Sequence, residues 1–260
     1  MKSSNPVLGR LSATAYQPTY QAPGGPAGYG YPDVNPTGHR DVMSIDDVVV
    51  KTVSLLGAAV LAAAVTWALV PVHSIGPVWI GSMLVGLVLG LAISFAQITN
   101  PVMLFGYAVV EGVFLGAVSK AYETRWNGIV LLAVIATLSV FFVMAALYKA
   151  RIIRASAKFI RIVIGAAAGL AVVMLVNVVI TMFTGSAGPL RDGGPFAILF
   201  SLVCIVVAAL MFVVTFNQIE EGIAAGLPRK HGWLAAFGIL VELVWLYLEF
   251  LRLISYFQED

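Results

Sequence analysis

The sequence predicts an all-α integral membrane protein in which seven transmembrane helices follow a disordered N-terminal tail. Of its 260 residues, 60% are hydrophobic and only 11% are charged, whereas about 25% of the residues of a soluble domain are charged. Apolar stretches of about 20 residues, long enough to cross about 30 Å of hydrocarbon as a helix, recur with short polar links between them. These observations exclude an ordinary soluble protein.

Residues 1–47 form the predicted tail. They are rich in Pro, Gly, Tyr, Ser and Ala, as in residues 17–32 (QPTYQAPGGPAGYGYP), and they lack the apolar periodicity that would offset the entropy of ordering the backbone. They also lack the basic start and short apolar core of a signal peptide, so we expect a tail that is not cleaved. Such a tail is either a tether or a binding segment for partners.

The membrane domain is predicted over residues 48–256, just after a helix-start signal. Ser44 is followed three residues later by Asp47, a spacing typical of a capped helix N-terminus. Hydropathy then predicts seven helices, at residues 48–70, 77–96, 101–122, 128–148, 159–183, 195–217 and 233–255.

Pairs of glycines spaced by four residues occur in three of these spans. They are Gly86 and Gly90 in the second span, Gly112 and Gly116 in the third, and Gly165 and Gly169 in the fifth. Such pairs let helix backbones approach closely, so we interpret them as packing sites within the bundle.

The basic residues are unevenly distributed between the two sides of the predicted bundle. The links on the side of the N-terminal tail hold Lys149, Arg151, Arg154, Lys158, Arg161, Arg229 and Lys230. The links on the opposite side hold mainly Lys120, Arg125 and Arg191. The positive-inside rule therefore predicts a cytoplasmic N-terminus and, after seven crossings, a C-terminus outside.

Motifs of soluble enzymes are absent from the sequence. It contains no His-Glu-x-x-His, no phosphate-binding glycine loop and no Gly-x-Ser-x-Gly. His39, His73 and His231 all fall in the tail or in links, so no span carries a histidine that could serve as a base. Cys204 is the only cysteine, which excludes an intramolecular disulfide. We therefore expect no enzyme, no cofactor and no nucleic-acid partner.

Two spans carry acids near the middle of the bilayer. Glu111 lies near the middle of the third span and Glu242 near the middle of the seventh. An ionised side chain at this depth costs about 2.5 to 3.5 kcal/mol on insertion scales, so such residues usually face a protein interior or a water-filled cavity. We expect the two carboxylates to face each other, where together they could hold a proton or a metal cation. A neutral acid that hydrogen-bonds to a neighbouring helix is the alternative.

The last span carries two more charged residues. Glu249 follows Glu242 by two helical turns on nearly the same face, and Arg252 follows Glu249 by three residues. Arg252 can reach the outer interface and pair with Glu249, so a structural ion pair stays open beside a role in an ion pathway.

The sixth span ends in polar residues 215–221 (TFNQIEE), which include Thr215 and Asn217. Together with the intramembrane acids they supply oxygen atoms along an interrupted polar path. Carboxylate, amide and hydroxyl oxygens suit a hard cation such as Ca²⁺ better than a soft metal.

Three segments resemble the Bax inhibitor-1 family, also called the transmembrane BAX-inhibitor-motif family, in its bacterial branch. They are residues 107–123 (YAVVEGVFLGAVSKAYE), 212–228 (FVVTFNQIEEGIAAGLP) and 233–253 (WLAAFGILVELVWLYLEFLRL). The similarity extends over all seven spans. It implies a bundle in which the last helix is central, a bacterial cell membrane location, and a calcium leak that depends on pH.

The resemblance also implies a proton sensor made of one acid near the end of the sixth helix and one in the seventh. The seventh-helix acid stands ten residues before an arginine, and counting back from Arg252 leads to Glu242. The sixth-helix acid corresponds to Thr215 or Asn217, and neither is a carboxylate. Glu111 is then the candidate for a displaced second acid.

Our hypothesis from the sequence is a pH-modulated cation leak, with Ca²⁺ as the transported ion. The pathway and gate residues would be Glu242, Glu111, Asn217, Thr215, Glu249 and Arg252, of which Glu242 and Glu111 would contact the metal. The alternative is a non-conducting membrane regulator that binds a protease or a stress-response partner, with the tail as its docking segment. The sequence leaves the oligomeric state open.

Overall fold

A computed structural model describes residues 42–184 and 190–258 of the chain. Nearly all of the predicted tail lies outside the described residues. Within them no β-strand occurs, and seven helices are long and apolar enough to span a membrane, which confirms the predicted fold class. The helices are α1 (Ile45–Leu69), α2 (Ile75–Ala96), α3 (Pro101–Arg125), α4 (Ile129–Lys149), α5 (Ala157–Thr184), α6 (Pro195–Ala224) and α7 (Gly232–Gln258).

Several helices extend beyond the apolar spans that predicted them. The first begins at Ile45 rather than at residue 48, and the Ser44 side chain accepts a hydrogen bond from the Asp47 backbone N–H at 3.2 Å, as the capping signal predicts. The sixth continues past Asn217 to Ala224. Hydropathy marks only the stretch that crosses hydrocarbon, whereas polar residues at the interface can continue the same backbone hydrogen bonds.

Contacts between the links show which helix ends lie together. The Met43 backbone N–H, just before α1, donates to the Leu227 carbonyl between α6 and α7. At the opposite end, the Lys120 ammonium near the end of α3 donates to the Val70 carbonyl after α1. We call the end that holds the start of α1 and of α7 the N-terminal end of the bundle, and the other the C-terminal end.

The last helix occupies the centre of the bundle. It packs against α1, α3, α4 and α6, and Leu240 and Leu246 on it are fully buried. Leu240 belongs to an apolar cluster with Leu55 of α1 and Leu104 of α3, whereas Leu246 packs in a second cluster that includes Phe212 of α6. Polar side chains on α7 are therefore held inside the protein, as the resemblance implies for a central helix.

The glycine pair of α3 lets this helix pack directly on α1. A methyl group added at Gly112 would overlap the carbonyl oxygen of Ala59, and one added at Gly116 would lie 2.5 Å from that of Ala63. The glycine pair of α2 likewise contacts side chains of α3, whereas the pair of α5 has open space within 4 Å of both positions. The packing interpretation therefore holds for two of the three pairs.

The segment before α1 is tied to the link between α6 and α7. Met43 is 4% exposed, so it belongs to the packed domain although it precedes the predicted boundary at residue 48. Asp47 forms ion pairs with Lys51 at 2.5 Å and with Arg229 at 2.7 Å. The start of α1 and the start of the central helix are thus held together by charged contacts.

Candidate functional site

Glu242 and Thr215 meet inside the bundle at the same depth. Glu242 is ten residues after the start of α7 at Gly232, and Thr215 is nine residues before the end of α6 at Ala224. At 1.5 Å per residue, both lie about 14 to 15 Å from the N-terminal end. Because α6 continues past the predicted span to Ala224, Thr215 lies well inside the helix rather than at its end, and it can reach Glu242.

A direct hydrogen bond joins the two residues. The Thr215 hydroxyl donates to Oε1 of Glu242 at 2.5 Å. Both residues are buried, with 6% of Glu242 and 8% of Thr215 exposed. The second carboxyl oxygen of Glu242, Oε2, has no hydrogen-bond partner among the described residues. An unpaired buried polar atom of this kind costs about 1 to 3 kcal/mol, so Oε2 is where a proton, a water molecule or a cation would be stabilised.

A cavity of about 390 Å³ extends from the N-terminal end of the bundle to Thr215. Near the links its walls include Met43 and His231, and at its inner end they include Thr215 and Gly238. Gly238 lies one helical turn before Glu242, and its missing side chain leaves the space beside the Thr215 methyl group. Thr215 therefore separates the cavity from the Glu242 carboxyl group.

Asn217 lies on a different side of α6. Its amide donates to Oε1 of Glu221 at 2.7 Å, one turn further along the same helix and exposed. Two residues along an α-helix correspond to a rotation of about 200°, so Thr215 and Asn217 cannot both face α7. Of the two positions, the structure brings Thr215 to Glu242.

The chain as a whole matches the profile of a known protein family. The profile of a family described as Bax inhibitor 1 like matches residues 5–259. The chain belongs to the Bax inhibitor 1 like family. A comparison with curated proteins gives no match. Family membership thus rests on a match across nearly the whole chain, including the helices that hold Thr215 and Glu242.

In this Bax inhibitor 1 like protein, Glu111 has the predicted depth but faces another helix. It is ten residues after the start of α3 at Pro101, about 15 Å from the N-terminal end. Its carboxyl oxygen lies 3.0 Å from the position that a methyl group on Gly86 of α2 would occupy. The Tyr107 side chain lies beside Glu111 and packs its ring against Phe237 of α7 at 4.9 Å.

The expected facing pair of Glu111 and Glu242 is therefore not formed. Among the described residues no hydrogen bond joins them: the Glu111 carboxyl group lies beside Gly86 of α2, whereas Oε1 of Glu242 accepts from Thr215 and Oε2 has no partner. Among the described residues, no group of three or more His, Cys, Asp or Glu side chains is arranged to hold a metal ion. Tight Ca²⁺ sites use about six to eight oxygen ligands, so each of these carboxylates offers a cation only a partial set.

Glu249 forms the predicted ion pair with Arg252 and one that was not predicted. Its Oε1 lies 2.7 Å from Nη1 of Arg252 and 3.4 Å from Nη2 of Arg191. Glu249 is only 1% exposed. Arg191 lies in the link before α6, and no regular spacing along the sequence relates it to the residues of α7. Its position just outside the sixth span, at the end where α7 finishes, was the only signal that could have suggested the contact.

Proposed function

We propose that this Bax inhibitor 1 like protein is a pH-modulated cation leak pathway, with Ca²⁺ as the first ion to test and Glu242 as its gating carboxylate. The observation that carries the proposal is the unpartnered Oε2 of Glu242, held behind Thr215 at the inner end of a cavity. Intramembrane acids that face a cavity commonly belong to ion or proton pathways.

Thr215 couples the cavity to the acid in this proposal. Its hydroxyl donates to Glu242 and its side chain lines the cavity. Movement of α6 relative to α7 would break the hydrogen bond and place the carboxyl group at the cavity wall. An ionised carboxylate attracts a cation there and a protonated one does not, so proton uptake would change the flux.

The residues of α7 that follow Glu242 favour a gated passage rather than a permanently open one. Leu243 and Leu246, which follow Glu242, are buried in packing contacts with α4 and α6. Beyond them, Glu249 is paired with Arg191 and Arg252. A cation that reaches Glu242 from the cavity would need these side chains to move before it could leave at the C-terminal end.

The proposal is tested by Ca²⁺ flux into liposomes that contain the purified protein, measured between about pH 6 and pH 8. Glu242→Gln keeps a hydrogen-bond acceptor for Thr215 but cannot titrate, so we expect the flux to lose its pH dependence. Glu221→Gln, at an exposed carboxylate of α6, is the matched control and should behave like the wild type. An absence of flux above protein-free liposomes, or an unchanged pH profile in Glu242→Gln, would reject the proposal.

A non-conducting regulator is the second candidate, and the N-terminal contacts favour it. The Met43 backbone N–H donates to the Leu227 carbonyl, so the segment just before α1 lies beside the link that leads into the central helix. A protease or stress-response partner that binds the tail would then act close to α7. Deletion should end at residue 41, since Met43 and the capping residue Ser44 belong to the packed domain. A leak would survive that deletion, whereas a regulator that docks through its tail would lose its partner.

A further inference from the structure

A lateral groove lies between α1 and α4 in the C-terminal half of the bundle. Both helices pack against α7, but along their described residues they do not pack closely against each other. The groove is a cavity of about 520 Å³ that follows α1 from Leu56 to Trp67. It reaches the central helix at Leu243, Val244 and Tyr247. The gap between α1 and α4 therefore gives access to α7 from the side of the bundle.

The lining of the lateral groove is hydrocarbon, and its hydroxyl groups are already paired. The hydroxyls of Ser119 and Tyr247 are hydrogen-bonded to each other at 2.7 Å, and the Thr137 hydroxyl donates to the Ala133 carbonyl at 2.7 Å. Apart from the Trp67 indole, the other lining side chains are aliphatic or absent. A polar ligand would lose its hydrogen bonds to water in such a site, whereas a hydrocarbon chain would not.

The length and depth of the groove match one leaflet of the bilayer. Leu56 is eleven residues after the start of α1 at Ile45, and Trp67 is eleven residues further on. At 1.5 Å per residue, the groove is about 16 Å long and begins about 16 Å from the N-terminal end. Half of the hydrocarbon core is about 15 Å thick. The groove thus runs from the middle of the bilayer to its interface, as an acyl chain of the leaflet at the C-terminal end does.

The groove is open towards the lipid and has a cation at its interfacial end. Val60 of α1 is 59% exposed and Val134 of α4 is 39% exposed, and both line it. The Lys120 ammonium donates to the carbonyls of Trp67 and Val70 at 2.7 and 2.6 Å. An ammonium group has three N–H donors, so it can also donate to a phosphate oxygen. Tryptophan is typical of this headgroup level in membrane proteins.

We propose that the lateral groove is a phospholipid-binding site. One acyl chain from the leaflet at the C-terminal end lies between α1 and α4, and the phosphate of the same lipid contacts Lys120. The end of the chain packs against Leu243, the residue that follows Glu242. The site does not depend on the proposed leak, because a lipid can bind in the same way to a non-conducting regulator.

Photo-crosslinking in liposomes tests this proposal. The probe is a phosphatidylcholine that carries a diazirine at the end of one acyl chain. Bilayer lipids outside the groove reach only outward-facing residues, whereas Leu243 and Val244 are 6% and 7% exposed. Peptide mass spectrometry after irradiation should therefore find cross-links at Leu243 or Val244 in addition to those on the outer helices. Cross-links confined to outward-facing residues would overturn the proposal.

A matched pair of substitutions on α1 tests whether the lipid enters through the groove. Ala64 is exposed and lines the groove, so Ala64→Trp fills it. Because a steric clash weakens binding, cross-linking at Leu243 should fall at least about tenfold. Val65 is 56% exposed and lies outside the lining, so Val65→Trp should retain the cross-links. Unchanged cross-linking at Leu243 in Ala64→Trp would overturn the proposal.

A second variant and a second probe complete the test. If Ala64→Trp melts at a lower temperature in detergent than Val65→Trp, Val134→Trp, which enters the groove from α4, replaces it under the same criterion. A diazirine placed near the glycerol should cross-link Trp67 or Ser119 at the interfacial end of the groove, instead of Leu243. Loss or reversal of this order between the two probes would overturn the proposal.

Discussion

The Thr215 hydroxyl donates a hydrogen bond of 2.5 Å to the Glu242 carboxylate and so joins α6 to the centre of α7. The resemblance to the Bax inhibitor-1 family implies a sixth-helix acid at Thr215 or Asn217. Only Thr215 contacts Glu242, whereas Asn217 hydrogen-bonds to Glu221. In this chain a hydroxyl group therefore lies where a second acid would pair with Glu242, and it can donate to that acid without sharing a titrating proton.

We predict that Thr215→Asp introduces the missing second acid. Two carboxyl groups at this distance titrate as a coupled pair, so the flux should respond to pH in two steps instead of one. The measurement is Ca²⁺ flux in liposomes over a fine series of pH values. Asn217→Asp adds the same group two residues away on another side of α6, and its profile should stay like that of the wild type. Identical profiles for both variants would contradict the assignment of Thr215.

Filling the cavity should block the proposed leak without changing any polar group. Gly238 lines the inner end of the cavity, and the nearest atom to an added methyl group is Cγ2 of Thr215 at 3.8 Å. We expect Gly238→Leu to occupy the space in front of Thr215 and to reduce flux at least about tenfold, equivalent to about 1.4 kcal/mol in the barrier.

The control for this cavity prediction is Gly106→Leu. A Cβ atom added at Gly106 of α3, an exposed position, meets no atom within 4 Å, so this variant should keep wild-type flux. Melting temperatures of both proteins in detergent would show that the fold is retained. Normal flux in a folded Gly238→Leu protein would exclude the cavity as the entry path.

Close packing of α3 on α1 should make Gly112→Ala destabilising. The added methyl group would overlap the Ala59 carbonyl oxygen, which forces the two helices apart. Overpacking of this kind typically costs about 1 to 3 kcal/mol. The melting temperature in detergent should fall accordingly, whereas Gly165→Ala, which has open space around it, should leave it nearly unchanged. Equal melting temperatures for the two variants would argue against the helix contact.

The orientation of the bundle can be tested with single cysteines in a Cys204→Ala background. Ser156 is exposed between α4 and α5, at the N-terminal end, and Thr124 is exposed at the C-terminal end of α3. With the N-terminal end in the cytoplasm, a membrane-impermeant maleimide should label Thr124→Cys in intact cells. It should label Ser156→Cys only after permeabilisation. The reverse pattern would invert the proposed orientation.

Contacts within one helix were largely predictable from the sequence. The Ser44 cap and the ion pair between Glu249 and Arg252 follow from spacings of three residues, which place side chains on the same part of a helix. The depth of Glu242 follows in the same way, from counting residues at 1.5 Å each. The low charge content likewise predicted the membrane class, because charge is costly in hydrocarbon.

Contacts between different helices were harder to predict from the sequence than contacts within one helix. Glu111 has the depth of Glu242 but faces Gly86, and Arg191 reaches Glu249 from a link that no spacing rule connects to α7. Hydropathy alone ended the sixth span at residue 217, whereas α6 continues to Ala224 and Thr215 lies level with Glu242.

The sequence by itself determined the number of spans, the depth of each acid and the central candidate, Glu242, because these depend on hydropathy and on helical rise. Only the tertiary structure decided that Thr215, rather than Glu111 or Asn217, is the neighbour of Glu242. The rotation of each helix about its axis depends on which surfaces pack together. A glycine such as Gly86 changes that packing, because the missing side chain leaves space for a residue of the neighbouring helix. The rotation of a helix, unlike the depth of a residue along it, therefore depends on the packing of the whole bundle.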